Sequence, residues 1–279
     1  MAGPLTTVQD RGRRGLAHLG VPRAGPLDAP AAGLANRLVG DREGTALLEL
    51  TWGGFEAGLT GAEAGTWVAV TGAPVAVEVD GVARGTDRAE WLPVGARLRI
   101  GTPSVGVRSY LAVAGGIAVA PVLGSRATDT LAWVGPPRVV DGTDLPIGAP
   151  AGPPAALDVP RRAASGPLRL LPGPRADWFA PDALARLAAS SYVVGERSNR
   201  VGLRLDGPAL ERVRSGELPS EGMVLGAVQV PPDGRPVVFL ADHPPTGGYP
   251  VVAVVHPDDL WRCAQVRAGE EVRFTLRSA

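Results

Sequence analysis

Residues 240–250, LADHPPTGGYP, hold the densest set of groups able to do chemistry. An apolar run leads into Asp242 and His243, and a rigid Pro244-Pro245 pair follows. Gly247-Gly248 then lets backbone approach a ligand closely, and Tyr249 adds a ring and a hydroxyl. Histidine exchanges a proton near neutral pH, and a neighbouring carboxylate favours its charged form. Asp242 and His243 are therefore read as a proton-handling pair, with an exposed histidine on a structural turn as the competing reading. Arg200 and Arg204 lie an even number of residues apart in a strand-like run, which turns both to one face. Two guanidinium forks on one face suit a carboxylate or a phosphate. The alternative pairs them with Glu196 and Asp206 at the surface. Asp242, His243 and Arg200 are the expected catalytic residues. Arg204, Glu221, Gln229, Thr246, Gly247, Gly248 and Tyr249 are expected to bind substrate, Glu221 and Gln229 by orienting an amide or ureido group.

A second concentration of polar chemistry lies at residues 7–28, TVQDRGRRGLAHLGVPRAGPLD. Arg11, Arg13, Arg14 and Arg23 alternate there with Gly12, Gly15, Gly20 and Gly25, so permanently charged planar forks sit on a path that glycine can shape. Arg11 joins the expected substrate-binding set, as do Arg108 and Arg126. The three histidines, His18, His243 and His256, have no metal-ligand spacing and no cysteine companions, so no zinc site is expected. Ser125, His243 and Asp242 make a triad on paper, but no Gly-x-Ser-x-Gly elbow supports it. Cys263, in DDLWRCAQV, reads as a buried thiol on the apolar face of a short helix.

The elements that must position these groups are mostly strands. Short β-branched runs occur at 66–70, 75–79, 107–115, 201–205, 226–230, 237–241, 251–255 and 271–276. Pro231-Pro232-Asp233-Gly234 reads as the turn of a hairpin. Asp28 caps a helix whose Ala31, Leu34, Ala35 and Leu38 fall at helical spacing, with Gly40 at its end. Further helices are expected at 182–189 and after His256-Pro257. Short strands with turns roughly every eight to twelve residues predict a β-barrel architecture. The proline- and alanine-rich stretch 147–164 is the expected linker.

Composition narrows the chemistry further. With 279 residues, 38 glycines and 28 prolines, the chain can bury a large core but has many turns. Its 28 basic residues are all arginine, balanced by 28 acidic ones. Without lysine there is no Schiff base, no covalently carried biotin and no phosphate loop of the Gly-Lys type. Charges spread evenly along a neutral chain argue against a nucleic-acid stripe. There is no apolar run of membrane-spanning length and no secretory leader pattern, and a single cysteine fits a reducing cytoplasm.

Several blocks together resemble one family. Residues 7–28 are similar to the opening signature of the family holding the C subunit of 5-oxoprolinase, KipA and the carboxyltransferase half of urea carboxylase, also known as allophanate hydrolase subunit 2. Asn36-Arg37-Leu38-Val39-Gly40 and Leu47-Leu48-Glu49 resemble its asparagine-bearing helix and the strand that follows. Residues 108–116, RSYLAVAGG, look like its central Arg-x-Tyr-Leu-Ala-x-x-Gly-Gly run, and Leu123-Gly124-Ser125-Arg126 follows, with Ala127-Thr128 where the family pattern has Ser-Thr. In the carboxyl half, residues 198–205, Ser220-Glu221-Gly222, residues 226–231 and residues 246–250 complete the likeness.

The resemblance implies a mainly β protein of two cyclophilin-like β-barrel domains with a few short helices, 1–160 and 161–279. It implies one component of a two- or three-component ATP-dependent amide or lactam hydrolase, most closely a 5-oxoprolinase opening 5-oxoproline to glutamate. The partners would be the enzyme's B component, a KipI-like protein, and its A component, a LamB/YcsF-like protein. ATP would be used by the complex, and biotin only where another protein supplies it. Two alternatives stand beside it: a carboxyltransferase moving a carboxyl group from biotin on another protein onto urea or a similar amide, and a non-catalytic KipA-like antagonist of a kinase inhibitor.

Overall fold

The structure, a computed structural model, describes residues 1–61, 63–154, 166–214, 216 and 218–276. The expected boundary at 160/161, and residues 155–164 of the expected linker, lie outside the described residues. The chain forms two compact units. One gathers Met1–Arg13, Ala24–Thr128 and the chain from Trp133; the other gathers Arg14–Arg23, Asp129–Ala132 and the C-terminal strands.

The first unit is built from strands β1 (Leu5–Gln9), β2 (Leu47–Thr51), β3 (Phe55–Gly58), β4 (Thr66–Gly72), β5 (Val77–Val79), β6 (Val82–Arg84), β7 (Ala89–Leu92), β8 (Arg97–Ile100) and β9 (Arg108–Val113). They make two open sheets, ordered β1-β2-β9-β4-β7 and β3-β8-β5-β6. Val8, Leu48, Leu50, Val68, Val70, Leu111 and Val113 of the first sheet pack against Phe55, Val77, Val79, Leu98 and Ile100 of the second. Helix α1 (Ala29–Leu38) lies on the opposite face of the larger sheet, where Leu34, Ala35 and Leu38 meet Leu47, Ala69, Tyr110 and Ala112. Its expected start is present, since the Asp28 side chain accepts from Ala31 N at 3.0 Å. Gly40, at φ +85°, takes the left-handed conformation that ends it.

Here the expectation of two cyclophilin-like barrels fails. A barrel strand alternates between one interior and one exterior. All six residues of β9 are buried, because one face meets the second sheet and the other meets α1. The result is a mixed α/β layering with open sheets rather than a second closed barrel. Nor is the start of the expected linker a free tether. Gly148 N donates to Gly116 O at 3.0 Å, and Gly115 stands so close to Gly148 that a Cβ on it would lie 2.0 Å from the Gly148 carbonyl oxygen.

The second unit does close. Its strands are β10 (Leu168–Pro172), β11 (Ser191–Val194), β12 (Gly202–Asp206), β13 (Glu221–Gly222), β14 (Ala227–Gln229), β15 (Val237–Phe239), β16 (Thr246–Gly247), β17 (Val251–Val255) and β18 (Glu271–Leu276). Seven form a barrel in the order β10-β17-β14-β15-β12-β11-β18, completed by parallel pairing of β18 with β10. Alternation is clean along its strands. Leu203 and Leu205 point inward while Arg204 and Asp206 face solvent, and Val272 and Phe274 repeat the pattern. The hairpin expected at 231–234 joins β14 to β15, with Gly234 N donating to Pro231 O at 3.0 Å. Helix α2 (Ala183–Ala189) also stands where expected, whereas the segment Pro257–Ala264 is a 3-10 helix. Strands β13 and β16 pair as a separate short ribbon.

Candidate active site

The segment joining β15 to β17 carries the densest polar chemistry of the barrel unit. It leaves the barrel at Leu240, turns at Asp242 and His243, forms the ribbon strand Thr246–Gly247 and returns at Pro250. Two backbone bonds hold its start against the segment before β12: Leu240 N to Val201 O at 2.9 Å and Asp242 N to Arg200 O at 3.1 Å. Side chains reinforce that pairing. Arg200 Nε donates to Asp242 Oδ2 at 2.9 Å and Nη2 donates to Oδ1 at 3.0 Å, with Arg200 only 1% exposed and Asp242 fully buried. Thr130 adds two further donors to Oδ2, its N–H at 2.9 Å and its hydroxyl at 2.7 Å. Asp129 fixes that threonine's segment by accepting from Leu131 N and Ala132 N. Both Asp242 oxygens are thus occupied by donors from this chain. A carboxylate so held orients its neighbours.

Arg200 and Arg204 do not share a face. The strand begins at Gly202, so Arg200 sits on the bend before it, outside the alternation, while Arg204 faces solvent from β12. The clamp expected of the two together is not formed.

His243 follows Asp242 and is 7% exposed. Its Nδ1 lies 2.8 Å from the Pro244 carbonyl, an oxygen that can only accept, so Nδ1 carries the proton. Nε2 is then the lone-pair nitrogen. The ring stacks on Phe239 with centroids 5.9 Å apart and planes 13° off parallel. Asp242 was expected to favour the protonated ring. Instead burial dominates and pushes the His243 pKa below its ordinary value; the Pro244 bond opposes this, Arg23 adds to it, and the Asp242 charge opposes it only as the smallest influence. His243 is neutral at neutral pH.

The return of the segment is organised by Gln229. Its Nε2 donates to Tyr249 O at 3.1 Å, which leaves Oε1 as an acceptor. A Cβ on Gly247 would stand 2.7 Å from that Nε2 and 3.3 Å from Met223, so a side chain here would displace the ends of both neighbours. Tyr249 is 44% exposed, and Arg212 lies over its ring at 5.7 Å. Arg212 also donates from Nη2 to Val230 O, and burial lowers its pKa. Glu221 is engaged by both Arg175 Nε, at 3.0 Å, and Arg175 Nη2. Thr246, across the ribbon, is exposed, and Gly248 is half-buried.

Arg11, Arg108 and Arg126 belong to the other unit, where each has a local role. Arg11 donates from Nε and Nη2 to Glu43 O at 3.0 and 2.6 Å, and Arg126 Nε donates to Val119 O at 2.6 Å. Arg108 is buried beside Glu49, which also accepts from Tyr110 Oη and Leu27 N. Sequence reading did not name Thr130, Arg175 or Arg212 for the site. Thr130 is 112 residues from Asp242, and no local pattern announces that pairing. Among the described residues, no group of three or more His, Cys, Asp or Glu is placed to hold a metal ion, and no helix is long and apolar enough to cross a membrane.

Comparison with known proteins places the architecture. Residues 19–276 match the model of the carboxyltransferase domain, subdomain A and B. The chain is 38% identical to the C subunit of 5-oxoprolinase from Escherichia coli, over 98% of this chain and 88% of that one. It superposes on the crystal structure of TTHA0988 with a TM-score of 0.87 and 41% identity, covering 98% of this chain but 54% of that one. The Kluyveromyces lactis urea carboxylase also superposes with a TM-score of 0.87, at 27% identity, over 99% of this chain and 27% of that one. The chain therefore spans most of the E. coli protein, about half of TTHA0988 and about a quarter of the urea carboxylase. A match running almost end to end, in both sequence and fold, makes this chain a member of the biotin-dependent carboxyltransferase family that includes the 5-oxoprolinase C subunit and urea amidolyase.

Proposed function

We propose that this chain is one component of an ATP-dependent lactam hydrolase that converts 5-oxoproline to glutamate, together with a KipI-like B component and a LamB/YcsF-like A component. The observation that carries the reading is the fixed tautomer of His243. Its proton is held on Nδ1 by Pro244 O, so a neutral imidazole presents Nε2 as a base. Extended similarity to the C subunit of the E. coli 5-oxoprolinase supports the choice of substrate.

In this reading Gln229 Oε1 accepts the lactam N–H, because its amide nitrogen is already held by Tyr249 O. His243 Nε2 takes a proton from the water that attacks the carbonyl carbon. The C–N bond then breaks, and the same proton passes to the leaving nitrogen. Arg200 and Asp242 hold the segment in register and do not themselves exchange the proton. With no lysine to carry biotin or to complete a phosphate loop of the Gly-Lys type, neither biotin nor ATP is assigned to residues of this chain, and ATP is used by the assembled complex.

The purified complex, given 5-oxoproline and ATP, is expected to release glutamate and phosphate. H243A should lower kcat by about 10²- to 10⁴-fold, the usual worth of a positioned general base. A complex that releases neither product removes the reading.

A second reading has its own support in the family model and in the urea carboxylase likeness. The same acceptors would hold a ureido or amide N–H while a carboxyl group arrives from biotin on another protein. Carboxylation of urea by the complex with a biotin-bearing partner, without glutamate release, would select it.

A further inference from the structure

The two side chains assigned to the substrate are covered. Gln229 is 6% exposed and His243 7%, so neither can meet a ligand from solvent while this arrangement holds. Gln229 does not point into the barrel. Val238 is the register partner of both Leu203 and Val228, and these three face the interior. Ala227, Gln229 and Phe239 alternate with them and project from the other face of the wall, which a bare barrel would leave to water. What lies on that face is the ribbon β13–β16. Gly247 sits against the Gln229 amide, so close that a Cβ there would stand 2.7 Å from Nε2. Met223, one residue past β13, is 8% exposed and packs on Ala227, Phe239 and Val251. Phe239 in turn stacks on His243.

This cover is lightly held. Its strands pair over two residues each, Glu221 with Gly247 and Gly222 with Thr246, and they share no ladder with the barrel. Met223 N adds one bond, to Pro245 O at 2.8 Å. The charged tether is Glu221, gripped by Arg175 Nε and Nη2. Arg175 is itself fixed to the wall, its N–H donating to Val251 O at 3.1 Å. The ion pair is part-exposed, with 37% of the Arg175 side chain and 26% of the Glu221 side chain open to solvent, so water and salt compete for it. A short ribbon with few bonds, lying on a continuous barrel wall, is built to open locally.

We propose that the ribbon β13–β16 is a movable cover over the substrate site, with Arg175–Glu221 as its latch and Met223 as its seal. It lifts to admit the amide or lactam and closes again around it. This rests on the assignment of Gln229 and His243 to the substrate and adds the way in which substrate reaches them. Closure brings Gly247 and Met223 back against Gln229, which steadies the amide that orients the substrate and keeps bulk water out.

Met223 is also the reporter, because the chain has two methionines and the other, Met1, is 64% exposed. The full chain is treated with dilute hydrogen peroxide, and sulfoxide at Met223 is measured against Met1 by mass spectrometry. Cys263, fully buried in the same unit, is alkylated in parallel to detect opening of the barrel itself. High salt should speed Met223 oxidation relative to Met1 by about two- to fivefold, the range a part-exposed ion pair commands. E221Q should do the same at low salt and lose the salt response. The charge swap R175E/E221R should return the rate toward wild type. A rate indifferent to both salt and E221Q overturns the proposal. So does a rise matched by Cys263, since the barrel then opens as a whole. The purified complex, without ATP, supplies the second arm. Saturating 5-oxoproline should slow Met223 oxidation by about twofold or more, as a ligand held under the closed ribbon shifts the population toward it. An unchanged rate, in a complex that releases glutamate once ATP is added, overturns the placement of the cover over the substrate site. A latch that answers to salt and E221Q in a complex that never releases glutamate leaves the cover standing and removes the lactam reading.

Discussion

Arg200 and Asp242 meet in two parallel hydrogen bonds, 2.9 and 3.0 Å long, inside the barrel unit with almost no exposure of either side chain. The pair joins the segment before β12 to the segment after β15, and Thr130 completes the carboxylate's shell. Such a pair gains little over an apolar substitute of the same shape, yet losing one member strands a buried charge.

D242N should therefore destabilise the protein by about 3–5 kcal/mol in urea unfolding, through the uncompensated Arg200. The double change R200M/D242L should recover much of that loss while leaving His243 misplaced and activity low. Equal destabilisation by the single and double changes would show that the pair contributes more than charge compensation.

His243 gives a pH signature with a definite sign. Its folded pKa lies below the ordinary 6.5, so the unfolded chain binds the proton first as pH falls. Stability should be unaffected by this group above about pH 7 and fall below 6.5, by at most about 1.4 kcal/mol per pH unit, until the folded-state pKa is passed. H243Q should flatten that part of the profile. An unchanged acid slope in H243Q assigns the effect to other groups.

Gly247 separates stability from binding. Its backbone lies outside the left-handed region, so alanine is conformationally acceptable, and the Cβ would meet only the mobile end of Gln229 and Met223. G247A should cost less than about 1.5 kcal/mol by thermal unfolding, as volume changes at yielding neighbours usually do. KM should rise by about tenfold or more as the Gln229 amide swings away from Tyr249 O, in keeping with about 1.4 kcal/mol for one hydrogen bond. A KM equal to wild type would take Gln229 out of the substrate site.

In the first unit, the Tyr110 hydroxyl donates to Glu49 at 2.9 Å and accepts from Asp28 N at 2.8 Å. Y110F removes both bonds and leaves a buried N–H at the start of α1. A loss of about 1–3 kcal/mol is expected from chemical denaturation, the cost of an unmatched buried donor. A neutral result would mean the helix start is held by its Asp28 cap alone.

Cys263 should be inert. It is fully buried, and burial pushes its thiol up to about 12. Native protein at pH 8 should resist iodoacetamide on the timescale in which the urea-unfolded chain is fully alkylated.

Much of the local structure was legible without coordinates. The cap at Asp28, the apolar spacing through Leu38 and the left-handed Gly40 all act within a few residues of one another, and they set α1 by themselves. The β12 and β18 alternations and the 231–234 turn are equally local. The expectation of a second barrel failed because closure depends on what covers the far face of β9, a fact stored in α1 some seventy residues away rather than in β9 itself.

The sequence by itself determined that the chain is strand-rich, that its only cations besides histidine and the amino terminus are guanidinium groups, and that Asp242, His243 and the Gly247-Gly248 pair lie on one short connection. Tertiary structure decided what those groups can do. It placed Thr130 on Asp242, turned Arg200 inward and Arg204 outward, and fixed the His243 proton on Nδ1. The reason is physical: residue type sets which charges and hydrogen bonds are available, whereas burial and the arrival of distant partners set which of them are satisfied.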